Sequence, residues 1–284
     1  MTQEIKRTFS LEYFPARTEK GEQSLAAARR ELSILKPAFA SVTFGAGGST
    51  QEGTYQTIEA IVQDDGIDAA PHISCISTDR DTLKTMLDDY RELGVTRLVA
   101  LRGDLPSGYG IAEHNELRYA NELVQFIRQQ TGDHFTIEVA AYPEFHPQAS
   151  SARADLENFK RKVDAGADSA ITQYFYNPDA YFRFINDCQH MGVTIPIVPG
   201  IMPITNYKQL ARFSDGCGSE IPRWIRKRLE SYGDDIESIR KFGLDVVLHL
   251  CEQLLDGGAP GLHFYSMNRS EPVKTIWNTL KLSG

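Results

Sequence analysis

The side chains in this sequence whose types and spacing could do chemistry begin with one carboxylate. Glu12 stands in TFSLEYFPAR (8–17), where Phe9, Leu11, Tyr13 and Phe14 read as a buried strand stopped by Pro15. Burying a charged carboxylate is costly unless it is paired or takes up a proton. Glu12 is therefore half of an ion pair, or an acid whose pKa is raised by apolar surroundings. Other polar residues sit late in other β-rich runs. Thr43 lies in FASVTFG, His72 and Ser74 in AAPHISC, and Asp104 in ALRGDLP. Tyr142 and Glu144 lie in AAYPEFHP, Gln173 in SAITQYFY, and Asn268 and Arg269 follow GLHFYSM. Each has a plainer reading. Asp104 closes a turn, His72 bonds to backbone, and Arg161 and Lys162 in ENFKRKVDAG form a solvated helix face. Tyr119 packs an amphipathic helix, and Tyr174, Phe175 and Tyr176 belong to the core.

Several chemistries are disfavoured. FGAGGST (44–50) lacks the GK[ST] ending of a P-loop, and Thr50 takes the third glycine's place in GxGxxG. No HxxxH or HExxH occurs, the seven histidines do not cluster, and the four cysteines form no CxxC pair. A structural zinc is not expected, and the cysteines read as reduced packing residues of a cytoplasmic protein. The net charge of -8 and pI near 5.4 argue against a broad nucleic-acid-binding face. MTQEIKRTFS lacks a signal peptide's apolar core, and no run is long and apolar enough to span a bilayer.

The elements that must position these residues alternate. Short β-rich runs (TFSLEYF, FASVTFG, AAPHISC, TRLVALRG, FTIEVAAY, SAITQYFY, PIVPGIM and GLHFYSM) are separated by amphipathic stretches such as GEQSLAAARRELSILK and PDAYFRFINDCQHMG. Gly94 and Gly192 mark helix ends, and the stretch from Tyr207 to Leu255 holds more than one helix. Strand and helix in alternation imply parallel strands with right-handed crossovers. About eight units within 284 residues point to an α/β protein, a (β/α)8 TIM barrel forming one domain over 1–284. An open doubly wound sheet is the alternative. In a barrel the active site forms where strands end, which is where the polar residues fall.

The motifs FSLEYFPAR, ASVTFGAGGST, APHISC, ALRGDLPSG, AAYPEFHP, ADSAITQYFY, PGIMPITNYKQLARF and HFYSMNR, in this order, resemble methylenetetrahydrofolate reductases of the bacterial type. The resemblance runs from about Phe9 to Arg269. It implies a barrel binding FAD non-covalently. It further implies ping-pong reduction of 5,10-methylenetetrahydrofolate to 5-methyltetrahydrofolate by NADH or NADPH, within one-carbon metabolism and methionine biosynthesis. A homodimer or homotetramer is implied as well. On the matching positions, Glu12 falls on the catalytic acid, and Thr43, Phe44 and Ala46 lie beside flavin and nicotinamide. His72, Arg102, Gly103 and Asp104 match flavin contacts, Asp104 also facing the pterin. Tyr119, Tyr142, His146, Ala149, Asp155, Asn158, Arg161 and Lys162 match further FAD positions, with Arg161 and Lys162 suited to a pyrophosphate. Gln173 matches a residue shared by folate and nicotinamide, and Gln209, Phe213 and Arg269 are substrate-side positions. The oily surroundings of Glu12 are then expected to raise its pKa and keep it protonated. Ala16 stands where the family often has a second proline. The chain's end at Gly284 leads to the expectation that no C-terminal S-adenosylmethionine-sensing domain is present. The rival readings are a non-redox barrel lyase or aldolase and a catalytically idle flavin- or folate-binding protein.

Overall fold

A computed structural model describes residues 7–44, 48–76, 78–103 and 116–283. Among them, nine strands and ten α-helices follow one another in the expected alternation. The strands are β1 (Thr8–Tyr13), β2 (Phe39–Val42), β3 (Ala69–Ser74), β4 (Arg97–Leu101), β5 (Thr136–Ala141), β6 (Ser169–Thr172), β7 (Ile197–Val198), β8 (Gly200–Ile201) and β9 (Gly261–Tyr265). The helices used below are α1 (Glu19–Ser33), α4 (Ala120–Thr131), α5 (Ala152–Asp164), α7 (Tyr207–Cys217), α8 (Arg223–Tyr232), α9 (Ile236–Asp256) and α10 (Glu271–Thr279).

All pairings are parallel, in the order β7-β6-β5-β4-β3-β2-β1-β9-β8. The two outermost strands are neighbours in sequence, separated by Pro199 alone. One pairs with β6 and the other with β9, so they are two halves of the run PIVPGIM. Proline has no N–H to give to a ladder. Its carbonyl is nonetheless used, accepting from His263 N–H at 3.0 Å. The split strand closes the sheet into a barrel of eight staves, which rules out the open doubly wound sheet.

Alternation along each strand sorts side chains into two compartments. Phe9, Leu11 and Tyr13 of β1 and Leu262 and Phe264 of β9 pack outward with the helices in the main core. Phe39, Ala70, Val99 and Ile171, from β2, β3, β4 and β6, form a separate cluster inside the barrel. Below that cluster, Glu138 is buried and pairs with Arg97 and Ser169, while the Arg97 guanidinium lies 4.5 Å from the Phe39 ring centroid. The barrel floor is therefore filled and charge-balanced, and its opposite end stays open.

Closure leaves little room at Gly200. A Cβ there would stand 2.2 Å from the Thr172 carbonyl oxygen and 2.6 Å from the Tyr265 ring. Gly200→Ala is expected to destabilise the fold by about 1–3 kcal/mol through overpacking. Urea unfolding followed by circular dichroism measures the loss; a variant as stable as the parent would show that the junction relaxes freely.

Candidate active site

The register of three strands assembles the centre of the site. Ser10 and Glu12 alternate with outward-facing apolar residues on β1, and β9 lies beside it with Ser10 opposite His263 and Glu12 opposite Tyr265. On the other flank Glu12 stands opposite Ser41, and β3 beyond it contributes His72. The outcome is a carboxylate between two imidazoles. Glu12 Oε2 lies 3.3 Å from His72 Nε2 and 3.6 Å from His263 Nε2. Ser41 Oγ is 3.5 Å from the same oxygen. Both Nε2 atoms are buried, and neither makes a hydrogen bond. On the far side of its ring, His263 Nδ1 meets Ser10 Oγ at 2.7 Å. If the hydroxyl donates to Nδ1, the remaining ring proton sits on Nε2 and faces Glu12.

These surroundings correct the expectation of a protonated acid in an oily pocket. Burial is the largest influence on Glu12 and does push its pKa up. The contacts with His263 and His72 act together in the other direction and outweigh it, bringing the carboxyl from 4.5 down to about 2. These contacts favour the carboxylate form of Glu12. The His72 reading changes too: its ring faces a carboxylate.

Above this centre opens a mouth of about 1120 Å³, lined by residues of β1, β3, β4, β5, β6 and β9, by Thr43 and Phe44 just after β2 and by Met202 just after β8. It brings together Glu12, Thr43, Phe44, His72, Gly103, Tyr142, Gln173, Gln209, Phe213 and Arg269. Gly103 has φ +87°, and a Cβ there would overlap Ser74 Oγ at 2.0 Å, so the chain turns tightly against the wall. Gln173 Oε1 accepts from Tyr174 N–H at 3.0 Å. Asn268 braces the rim by gripping Phe14 twice, donating to its carbonyl at 2.8 Å and accepting from its N–H at 3.1 Å.

The remaining expected residues lie on an adjoining rim built by β4, β5 and the loops leading into α4 and α5. Arg102 donates to Gln148 Oε1 at 2.5 Å, His146 N–H donates to Asp155 at 2.9 Å, and Ala149 N–H donates to the His146 carbonyl at 2.9 Å. Arg161 is exposed and donates to Asn158 Oδ1 at 2.7 Å. Lys162 departs from the solvated-face reading: Nζ donates to the Ala140 carbonyl at 2.5 Å, and burial lowers its pKa to about 8 despite Asp155 nearby. Tyr119 starts α4 with about half its surface exposed, so it is not helix packing, whereas Tyr174, Phe175 and Tyr176 are core. Glu144 stays off the mouth, accepting from Glu220 N–H at 2.8 Å. Ala46 and Asp104 lie outside the described residues. Among the described residues, no group of three or more His, Cys, Asp or Glu is placed to hold a metal ion, and no lysine lines the mouth.

His263, Tyr265, Ser10 and Ser41 escape a reading of the sequence. The available signal is the alternation in GLHFYSM, which sets His263 and Tyr265 on the face opposite Leu262 and Phe264.

The rim can carry a dinucleotide-sized group. Arg102, Arg161 and Lys162 supply positive charge at its edge, and the apolar mouth beside them admits a flat heterocycle. A solved structure described as an uncharacterized protein from Clostridium thermocellum that binds two copies of 5-methyl-5,6,7,8-tetrahydrofolic acid superposes with a TM-score of 0.64. It covers 95% of this chain and 94% of that one at 17% identity, a likeness of fold. The 5,10-methylenetetrahydrofolate reductase of Salmonella typhimurium is 42% identical over 271 residues, 95% of this chain and 90% of that one. Methylenetetrahydrofolate reductase (NADH) 1 of Zea mays is 36% identical over 98% of this chain, which spans 49% of that longer protein. The sequence pattern of the methylenetetrahydrofolate reductase family matches residues 1–281, and with that match this chain belongs to the family.

Proposed function

We propose that the chain reduces 5,10-methylenetetrahydrofolate to 5-methyltetrahydrofolate at the expense of NADH or NADPH. The observation that carries this reading, in a chain of this family, is the carboxylate–imidazole set beneath the mouth. FAD, bound non-covalently, would supply the redox chemistry by accepting a hydride from the nicotinamide and later giving one to the folate. Thr43, Phe44, His72, Gly103 and Tyr142 would hold it in the mouth. Arg102, Tyr119, His146, Ala149, Asp155, Asn158, Arg161 and Lys162 would hold it on the rim.

The chain's own contribution is a proton. The methylene carbon bridges N5 and N10, and it becomes an electrophile when N10 is protonated and its bond to that carbon breaks. Hydride addition to the resulting N5 iminium then gives the methyl group. Glu12 would be the donor of that proton, with His72 and His263 beside it to orient its carboxyl. Gln173, Gln209, Phe213 and Arg269 would orient the folate, with Phe213 as an exposed wall against which a ring can stack. Schiff-base lyase chemistry needs a lysine at the mouth and finds none among the described residues. An idle binding protein would keep the pocket and lose turnover.

Two experiments follow. Flavin-loaded Glu12→Gln is expected to accept hydride from NADH at nearly the parental rate, while its reoxidation by methylenetetrahydrofolate slows by about 10²-fold or more. Anaerobic stopped-flow absorbance separates the two halves, and unchanged folate reduction would remove Glu12 from the reaction. The second concerns acid stability. The folded-state pKa of Glu12 lies below its unfolded value, so its stabilisation is present above pH 4.5 and lost as pH falls toward 2. Unfolding free energy should therefore fall less steeply over that window in Glu12→Gln than in the parent. Parallel slopes would show that the pairing contributes nothing to stability.

A further inference from the structure

Helix α7 has a slender hold on the core. Gln209, Phe213 and Cys217, four residues apart, set one of its faces along the mouth. Elsewhere it buries only Leu210 and Ser214, whereas α4 buries Leu123, Val124, Phe126 and Ile127. Helices in proteins owe most of their stability to a packed apolar face, so the position of α7 depends heavily on polar contacts. Hydrogen bonds fasten its C-terminal end to the strand ends beside it. Ser214 Oγ lies 3.1 Å from the Tyr174 hydroxyl, and Ser219 Oγ donates to the Tyr174 carbonyl at 2.8 Å. Glu220 N–H, in the turn before α8, donates to Glu144 Oε2 at 2.8 Å, which ties α7 to the loop after β5.

That loop is shaped for the contact. Phe145 has φ +63°, a left-handed conformation that a non-glycine residue keeps only where its surroundings impose it. The bond from Glu220 N–H holds one side of it, and His146 N–H donating to Asp155 at 2.9 Å holds the other. Gly218 ends α7 at φ +77°, so near the loop that a Cβ would stand 3.3 Å from Pro147. The seam between loop and helix end encloses about 10 Å³, room for about one water. Tyr142, Gln173, Tyr174 and Cys217 line both this seam and the mouth, so a displaced α7 would reshape the mouth.

We infer that Glu144 is a positioning residue for the folate: its carboxylate clamps the end of α7 and so holds Gln209 and Phe213 where they meet the substrate. The inference rests on the reading of the mouth as a folate site. Glu144 does not line the mouth, and it acts through the helix. Without the clamp, α7 is in place in only a fraction of molecules, and apparent affinity falls by that fraction. Turnover of the bound complex is spared, because a bound folate itself favours the placed helix.

The test is steady-state folate reduction by NADH with the flavin-loaded protein. Glu144→Ala is expected to raise the KM for methylenetetrahydrofolate about two- to tenfold, the range that loss of one hydrogen bond allows, with kcat within about twofold. Its flavin should be retained as in the parent. Glu144→Gln keeps a carbonyl oxygen that can accept and should show the parental KM. Glu220→Ala keeps the N–H and should also leave KM unchanged. An unchanged KM in Glu144→Ala, or an equal rise in Glu144→Gln, would overturn the inference. So would loss of flavin, or a kcat that falls together with the melting temperature, which would assign Glu144 to the flavin rim or to the fold at large. Failure of the reductase reading would look different: the parent itself would reduce no folate, and the inference would fall with it.

Discussion

A carboxylate on the inner wall of a barrel must be balanced, and the way Glu12 is balanced organises the rest of the site. Desolvation alone would leave it neutral. Contacts with two imidazoles within 3.6 Å reverse that outcome. The balance depends on placement to within fractions of an ångström. His263 is fixed by Ser10 on one side and by the Phe39 ring stacked at 6.0 Å on the other, and Phe39 is itself covered by the Arg97 guanidinium. The buried Arg97–Glu138–Ser169 set at the floor therefore supports the working end through a stack of rings.

Barrel closure serves the same geometry. Tyr265, next along β9 on the inner face, donates to the Thr172 carbonyl at 2.7 Å. Thr172 Oγ1 in turn accepts from Gly200 N–H at 2.9 Å. The split seventh strand is thus tied to β6 by a side chain, and β6 to β9 by another, in addition to the ladder bonds. Breaking the strand at Pro199 changes the strand count and leaves the ring of staves intact.

The architecture was legible because it depends on local periodicity. Period-two runs and amphipathic helices gave the eight staves, and Gly94 and Gly192 adopt the positive φ expected past helix ends. What stayed hidden was the environment of Glu12, which depends on residues far away in the chain. Ser10 and His263 are 253 positions apart, and no local pattern announces their register. The apolar neighbours visible in TFSLEYF are those that point away from Glu12, toward the helices. Reading them as its surroundings therefore gave the wrong sign for its pKa. Lys162 shows the converse. Its helical spacing suggests solvent, and only packing of α5 against β5 reveals that it meets a strand carbonyl.

A carboxyl held near pH 2 is a poor proton donor at neutral pH unless the proposed folate changes its surroundings. Part of the Glu12 side chain, 17% of it, faces water in the mouth. A ring filling the mouth excludes that water, which strengthens the desolvation that already favours the neutral form. A neutral carboxyl is the form that a dry site prefers. In the proposed reaction, a folate ring entering the mouth would favour the neutral carboxyl that ring opening requires.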